Sequence, residues 1–394
     1  MYNTLLILFW ICLFLVFYTY IGYGIVLWLL VKIKEKINPS KVLELPEVLP
    51  EVSLFITAYN EEEVVDAKMT NCLSLDYPKD KLKIMWVTDG SNDSTNGKLA
   101  GYPNVTVSFQ PERRGKTAAI NRGMAFVTTP LVIFTDANTS INREAIKEIV
   151  KAFTDSRTGC VAGEKRIYTE GKDVVSSGGE GAYWRYESAL KDLDSRLCTA
   201  VGAAGELFAI RTHLFEEMQE DTLLDDFVLS LQIARRGHRI AYCKNAYATE
   251  SASLNMKEEE KRKIRIAAGG IQAIRRLRPL LNIFHYGCLS FQYISHRVLR
   301  WTITPVALLL LLPLNVGLLL LKLPPVWLYQ LFAIIQLLFY LFVIVGWILS
   351  KRDIKTKYLF IPYYFLFMSL NVFKGMAYLK NLKGVAVWEK AKRL

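Results

Sequence analysis

The sequence predicts an α/β domain with a mainly parallel sheet, joined to apolar helices long enough to cross a membrane, one N-terminal and about three C-terminal. Between positions 52 and 153, short apolar runs alternate with helical stretches, and each run ends in small polar residues. That is the pattern of a sheet wound with helices. Four stretches, 5–31, 302–321, 326–349 and 358–378, are nearly free of charge and about as long as a bilayer is thick. Between the first two, roughly 230 residues have the composition of one soluble domain.

The elements follow in order. Stretch 5–31 lacks a basic start and a small-residue cleavage site, so 1–33 reads as an anchor, not a signal peptide. A Pro-containing linker follows at 34–50. The soluble domain covers 51–279. Its first strands fall at 52–56, 82–87, 105–109 and 132–134, and Asn60 is placed to cap the helix after the first. Helices are expected at 113–123, 142–153, 181–197, 227–236 and 258–274. Further strands are expected at 161–166, as a sheet edge, at 201–210 behind a glycine turn, and at 240–243. The Gly- and Ser-rich run 170–181 reads as a mobile loop. Residues 280–301 read as an amphipathic helix in the membrane interface. A transmembrane cluster (302–380) and a basic tail (381–394) complete the chain.

The net charge of +12, from 49 basic and 37 acidic residues, gathers beside the apolar stretches, at Arg275, Arg276, Arg278, Arg297, Arg300, Lys351 and Arg352. That favours membrane lipids as a partner, and no nucleic acid. Lys32, Lys34 and Lys36 follow the first span, while Tyr2 and Asn3 before it are uncharged. The positive-inside rule then puts the soluble domain in the cytoplasm of a bacterial-type inner or cell membrane. Four full spans would carry the basic tail outside, so the last apolar stretch is re-entrant or interfacial, or it breaks the rule. The six cysteines have no metal-ligand spacing and suggest neither zinc nor disulfides.

Five polar stretches carry the chemistry. Leu-Val-Ile-Phe-Thr-Asp-Ala-Asn-Thr-Ser at 131–140 is a buried strand leaving its sheet. Asp136 and Asn138 flank one small residue, so both oxygens can turn toward a hard divalent cation on a diphosphate. Taken alone, the stretch is equally a strand-to-turn junction. Asp89 ends a strand and can accept from a nucleobase N–H or simply close a turn. Lys116, behind Arg113 and Arg114, starts a helix where phosphate can bind. Asp225 and Asp226 head another helix, complementing its dipole or supplying a general base. Arg262 and Arg265 share one helix face, suited to a diphosphate or to a basic membrane surface.

The ordered set Tyr59-Asn60-Glu61-Glu62, Asp89-Gly90-Ser91, Lys116 to Asn121, Asp136-Ala137-Asn138, Asp225-Asp226 and Arg262-x-x-Arg265 resembles the family 2 glycosyltransferases. Among these it is most similar to the processive membrane synthases of cellulose, hyaluronan, chitin and poly-N-acetylglucosamine. The resemblance covers roughly 52–301. It implies a GT-A type nucleotide-sugar-binding sheet, with inversion at the sugar carbon. By the same resemblance Asp226 is the general base, and Asp136 with Asn138 hold Mg²⁺ or Mn²⁺. Asp89 contacts the base, Lys116 lies near the nucleotide, and Arg262 and Arg265 grip the diphosphate and acceptor end. Tyr59, Glu61, Ser91, Asn121 and Asp225 join the substrate site. Tyr183, Trp184 and Glu187 lie near the acceptor, above the turn ending at Gly205. Thr88, Asn138, Asp225 and Ile266 depart from the family pattern; Ile266 removes an aromatic that holds a polymer end.

The resulting expectation is a membrane-bound inverting glycosyltransferase. It would use a nucleotide sugar, of UDP type, to build a cell-surface polysaccharide on a growing glycan. The alternatives are single-sugar transfer to a lipid-linked acceptor, and a non-catalytic membrane partner that keeps the fold.

Overall fold

The computed structural model describes residues 2–39, 42–168, 178–251, 255–352 and 357–382. The run 170–177 and the basic tail from 383 onward lie outside them. Helices α1 (Tyr2–Phe17) and α2 (Tyr23–Ile37) join through a π-helical turn at Tyr18–Gly22. No proline or charge interrupts that run before Lys32. The soluble domain then runs β1 (Val52–Ala58), α3 (Val65–Leu73), β2 (Leu82–Asp89), α4 (Thr95–Leu99), β3 (Val105–Gln110), α5 (Lys116–Met124) and β4 (Leu131–Asp136). It continues with β5 (Ser140–Ile141), α6 (Ala145–Ala152), β6 (Thr158–Tyr168), α7 (Gly178–Leu197), β7 (Leu207–Arg211), α8 (Asp225–Arg235), β8 (Arg239–Ser251) and α9 (Met256–Arg276).

These strands form one eight-stranded mixed sheet, in the order β3-β2-β1-β4-β7-β6-β8-β5. The first four pair parallel, β7 runs antiparallel to both neighbours, and β6 pairs parallel with β8. Every residue of β1 is buried, and so is β4 up to Asp136. Helices therefore cover both faces of the central strands, which is why those strands are continuously apolar. Phe55, Phe134, Phe208 and Phe227 build the core on one face; Leu54, Ile56, Trp86 and Ile133 build it on the other.

Three expectations are corrected. First, β6 is not an edge: it lies between β7 and β8, and β8 extends well beyond 240–243. The strand carries the charged run Glu164-Lys165-Arg166, and Lys165 is buried between Glu206 and Glu250, which neutralise it. Second, Asn60 caps no helix. Val64 stands at the cap position, and Asn60 takes φ 52 and exchanges hydrogen bonds with Asn92 (2.8 and 3.0 Å). Asn tolerates that left-handed conformation better than most residues.

Third, 280–301 is not one continuous helix. It breaks into a 3₁₀ turn (Arg278–Leu281), α10 (Ile283–Tyr286), α11 (Cys288–Tyr293), a π-helical turn (Ile294–Val298) and α12 (Leu299–Trp301), with Gly287 at φ 50 between α10 and α11. Its Ser290, Gln292 and His296 are fully buried, and Tyr293 joins the soluble core, so its polar groups serve the protein interior.

Then come α13 (Ile303–Leu320), α14 (Val326–Lys351) and α15 (Lys357–Asn381). Among the described residues, four helices are long and apolar enough to cross a membrane: Asn3–Ile37, Ile303–Leu320, Val326–Lys351 and Leu359–Asn381. The last has the lowest mean hydropathy, 1.2. It packs along α9 of the soluble domain. A Cβ on Gly375 would sit 2.7 Å from the Cβ of Ala267, so the glycine is what lets the two helices approach. Tyr364 donates to Glu259 (3.0 Å), and Lys374 pairs with Glu260.

Candidate active site

The carboxyl ends of β1, β2 and β4 share one edge of the sheet, where ligands of open α/β sheets bind. A cavity of about 1050 Å³ opens there. Lys116, the first residue of α5, projects into it. The preceding Gly115 takes φ 93, and the backbone N–H groups of Arg114 and Gly115 donate to the two oxygens of Asp89 (3.0 and 2.7 Å). The Lys116 ammonium meets Asp136 at 2.8 Å and Asp225 at 3.7 Å. Burial works against its charge, but Asp136, Asp225 and Asp226 outweigh burial and hold it above the usual lysine range.

Asp226 lines the same cavity. It stands in the first turn of α8, where the helix dipole favours an acid. Ser230 accepts from the Ala203 N–H (3.0 Å) and donates to the Asp226 carbonyl (2.7 Å), tying α8 to the glycine turn 202–205. A Cβ on Gly205 would lie 3.3 Å from Lys116 Nζ and 3.6 Å from Asp226 Oδ2, so glycine keeps that approach open. Burial first, and Asp225 second, push the Asp226 carboxyl up to about 7, with Lys116 pulling it back. A half-buried carboxyl at that value fits a general base working near neutral pH. Leu224, not Asp225, holds the cap position. Both acids line the cavity, although adjacent helical positions diverge, because Asp225 turns to Lys116.

Helix α9 brings Arg262 and Arg265 to the cavity, so these arginines do not form a basic membrane face. Arg262 pairs with Glu259 (3.3 Å) and approaches Glu206 (3.9 Å). Burial and then Arg262 push the Arg265 guanidinium down. The Trp184 ring faces the Lys165 ammonium at 5.2 Å and the Arg262 guanidinium at 5.9 Å. Glu187 is 2% exposed and is bound by Arg297, by Arg300 (3.0 Å) and by His296 (3.2 Å). Despite burial, Arg297 and His296, helped by Arg300, hold it well below the usual carboxylate range.

The cavity thus collects Tyr59, Glu61, Lys116, Asp136, Asn138, Trp184, Glu187, Gly205, Asp225, Asp226, Arg262 and Arg265. Asp89, Ser91 and Asn121 stand outside its wall. Asp89 lines a small neighbouring pocket with Tyr59 and Arg113, whose guanidinium stacks 3.6 Å over the Tyr59 ring. Ser91 accepts from the Asn60 N–H (3.1 Å). Asn121 exchanges hydrogen bonds with the Met218 backbone (2.7 and 3.1 Å). Ser91 and Asn121 thus stand beside the cavity, where these hydrogen bonds fix loops. The side chain of Tyr183 lies outside the described residues.

Sequence reasoning missed Glu206, Lys191 and the wall supplied by the membrane helices, including Tyr20, Phe365 and Met368. For Lys191 a signal existed, since 184, 187 and 191 lie on one helix face. Arg297 and Arg300, expected at the lipid surface, line the cavity instead. Ile266 lacks the family's aromatic ring, but Trp184 and Trp301 bring indoles to the same cavity.

The residues present fit a divalent cation that arrives with its substrate. Asp136 and Asn138 offer oxygen donors only, the preference of Mg²⁺ and Mn²⁺. Asp225 Oδ2 is buried without a hydrogen-bond donor, and Asp136, Asp225 and Asp226 all act on the ammonium of Lys116. Among the described residues no group of three or more His, Cys, Asp or Glu could hold a metal unaided. The diphosphate would have to supply the remaining ligands.

A mixed sheet whose acidic turns meet basic helix starts, enclosed by apolar helices, is a GT-A-like architecture. Residues 53–218 match the profile described as Glycosyl transferase family 2, and this chain carries a glycosyltransferase domain of that family. The probable glycosyltransferase YdaM of Bacillus subtilis is 23% identical over 312 residues, 71% of this chain and 72% of that one. A poly-beta-1,6-N-acetyl-D-glucosamine synthase of Staphylococcus aureus is 26% identical over 258 residues, 62% of this chain; the match spans 60% of the synthase's length. The fold is shared with a mannosyltransferase of Pyrobaculum calidifontis solved with GDP-Man and Mn²⁺: TM-score 0.68, 18% identity, 95% of this chain and 99% of that one.

Proposed function

We propose that this protein is a membrane-bound inverting glycosyltransferase that takes a sugar from a nucleoside diphosphate, of UDP type, and adds it to a cell-surface glycan. Its soluble domain faces the cytoplasm, as Lys32, Lys34 and Lys36 argue. The observation that carries the reading is Asp226: a half-buried carboxyl raised to about 7 in the same cavity as Lys116 and Asp136. Asp226 takes the proton from the acceptor hydroxyl at Oδ as the oxygen attacks the sugar carbon. Lys116, Arg262 and Arg265 hold the leaving diphosphate and stabilise its growing charge. Tyr59 and Arg113 bound the nucleoside end, beside Asp89. Asp136 and Asn138 would hold Mg²⁺ or Mn²⁺, which when bound neutralises diphosphate charge. Trp184 and Glu187 place the acceptor in line with the donor, which supplies much of the rate.

One observation favours single transfer to a lipid-linked acceptor as a second reading. The cavity continues from Asp226 to residues of the apolar helices, Tyr20, Phe365 and Met368. Purified full-length protein in nanodiscs, given nucleotide sugars with Mn²⁺, tests the proposal. Release of nucleoside diphosphate with a sized polymer supports the first reading, and release with a one-sugar lipid product supports the second. Hydrolysis or transfer from no donor in the panel would refute both.

A further inference from the structure

Lys191 is the cation the catalytic account leaves unused. It lies on α7, one turn beyond Glu187 on the same face. The residue is only 6% exposed and lines the cavity. Among the described residues its ammonium has no hydrogen bond or ion pair. Burial, and then Arg297, pull it below the usual lysine range. Glu187, Glu206 and Asp226 offset this only in part, and a charge withdrawn from water without a direct partner is costly, so such a group is poised for an anion. Arg297 and Arg300, 12% and 10% exposed at the side chain, both bind the one carboxylate of Glu187. Asp194 is already engaged by Tyr23, by Gln292 (3.0 Å) and by His296 (2.6 Å). Among the described residues, three cations, Lys191, Arg297 and Arg300, gather around the one carboxylate of Glu187 at this end of the cavity. Beside it the wall turns apolar, where Tyr20 of the first membrane run faces Phe365 of α15, with Met368 next to it.

We propose that Lys191, with Arg297 and Arg300, forms a second anion subsite that holds the phosphate of a lipid-linked acceptor, with the lipid chain running along Tyr20, Phe365 and Met368. The inference rests on the second reading above. The donor diphosphate has its own cations, Lys116, Arg262 and Arg265. A free phosphate would meet the charges but leave the apolar wall uncovered, so the chain contributes affinity of its own.

The test uses full-length protein in phosphatidylcholine nanodiscs with farnesyl diphosphate as probe. Binding is measured by calorimetry with and without saturating UDP and Mn²⁺. Wild type binds farnesyl diphosphate at least about tenfold tighter than farnesol or inorganic pyrophosphate, and still binds it with UDP present. Lys191→Met weakens the probe about 10- to 100-fold, the loss of one charge-assisted contact. Lys191→Arg restores most of that affinity. UDP affinity is the same in all three proteins and reports an intact fold and donor site. Equal probe affinity in Lys191→Met, equal binding of farnesol or pyrophosphate, or complete displacement by UDP would each overturn the subsite. Loss of UDP binding in wild type would instead sink the donor assignment, and the probe comparison would still decide the subsite.

Discussion

Asp226 gives the sharpest expectation, because its raised pKa fixes both a rate profile and a stability profile. A general base must be ionised to act. With the carboxyl at about 7, about one-tenth of the protein holds the ionised base at pH 6. Transfer measured as kcat/KM should therefore rise with pH, stand about tenfold below its plateau at pH 6, and level off above pH 8. An aspartate at its ordinary 3.8 would give a flat profile from about pH 5 upward. Asp226→Asn should lose the acid limb and at least a factor of about 100 in rate while still binding donor. Stability moves the opposite way. The folded pKa lies above the unfolded one, so ionised Asp226 burdens the fold fully above pH 7 and not at all below 3.8. The roughly three units correspond to roughly 4 kcal/mol at most. Asp226→Asn should thus melt higher than wild type at pH 8, with the difference vanishing toward pH 4. A flat wild-type rate profile from pH 5 to 8, or normal transfer by Asp226→Asn, would refute the assignment. If Asp225→Asn is the inactive variant instead, the base is its neighbour.

Other expectations follow from the same cluster. Lys116→Met removes an ammonium that three carboxylates share; it should cost about 3–5 kcal/mol in thermal or denaturant unfolding and shift the acid limb to higher pH. Asp136→Ala should abolish turnover while Asn138→Ala keeps a measurable part, since only Asp136 is charged; full wild-type activity in excess chelator would contradict a metal role. Arg265→Lys should lower turnover roughly 10- to 100-fold with membrane insertion unchanged, because lysine cannot reproduce a planar fork; wild-type kinetics would remove Arg265 from the diphosphate. A cysteine replacing the exposed Glu112 should resist an impermeant thiol reagent in intact cells and react after permeabilisation; labelling of intact cells would reverse the proposed orientation.

What the sequence showed depended on how local each signal was. The strand through Phe134 and the acidic turn after it were legible because an apolar run ending in small polar residues is a local pattern. The four apolar stretches were legible from length alone. The sheet position of β6 was not, because the charges on Lys165 are balanced by Glu206 and Glu250, far off in sequence. Arg300 looked like a lipid-surface residue for the same reason: its partner Glu187 is 113 positions away. Motif matching singled out Asn121, but no local pattern announces that the Met218 backbone takes both ends of its amide. The role of α15 as a cavity wall came from packing along α9, which no periodicity announces.

The central claim is that this chain transfers a sugar with inversion, with Asp226 as the base. It is tested most directly by incubating purified wild type and Asp226→Asn with a panel of nucleotide sugars and Mn²⁺, and by reading nucleoside diphosphate release and the product's anomeric configuration by NMR. The account predicts release and a product of opposite configuration to the donor from wild type, with Asp226→Asn at least about 100-fold slower. Retained configuration, or equal rates from the two proteins, would contradict it.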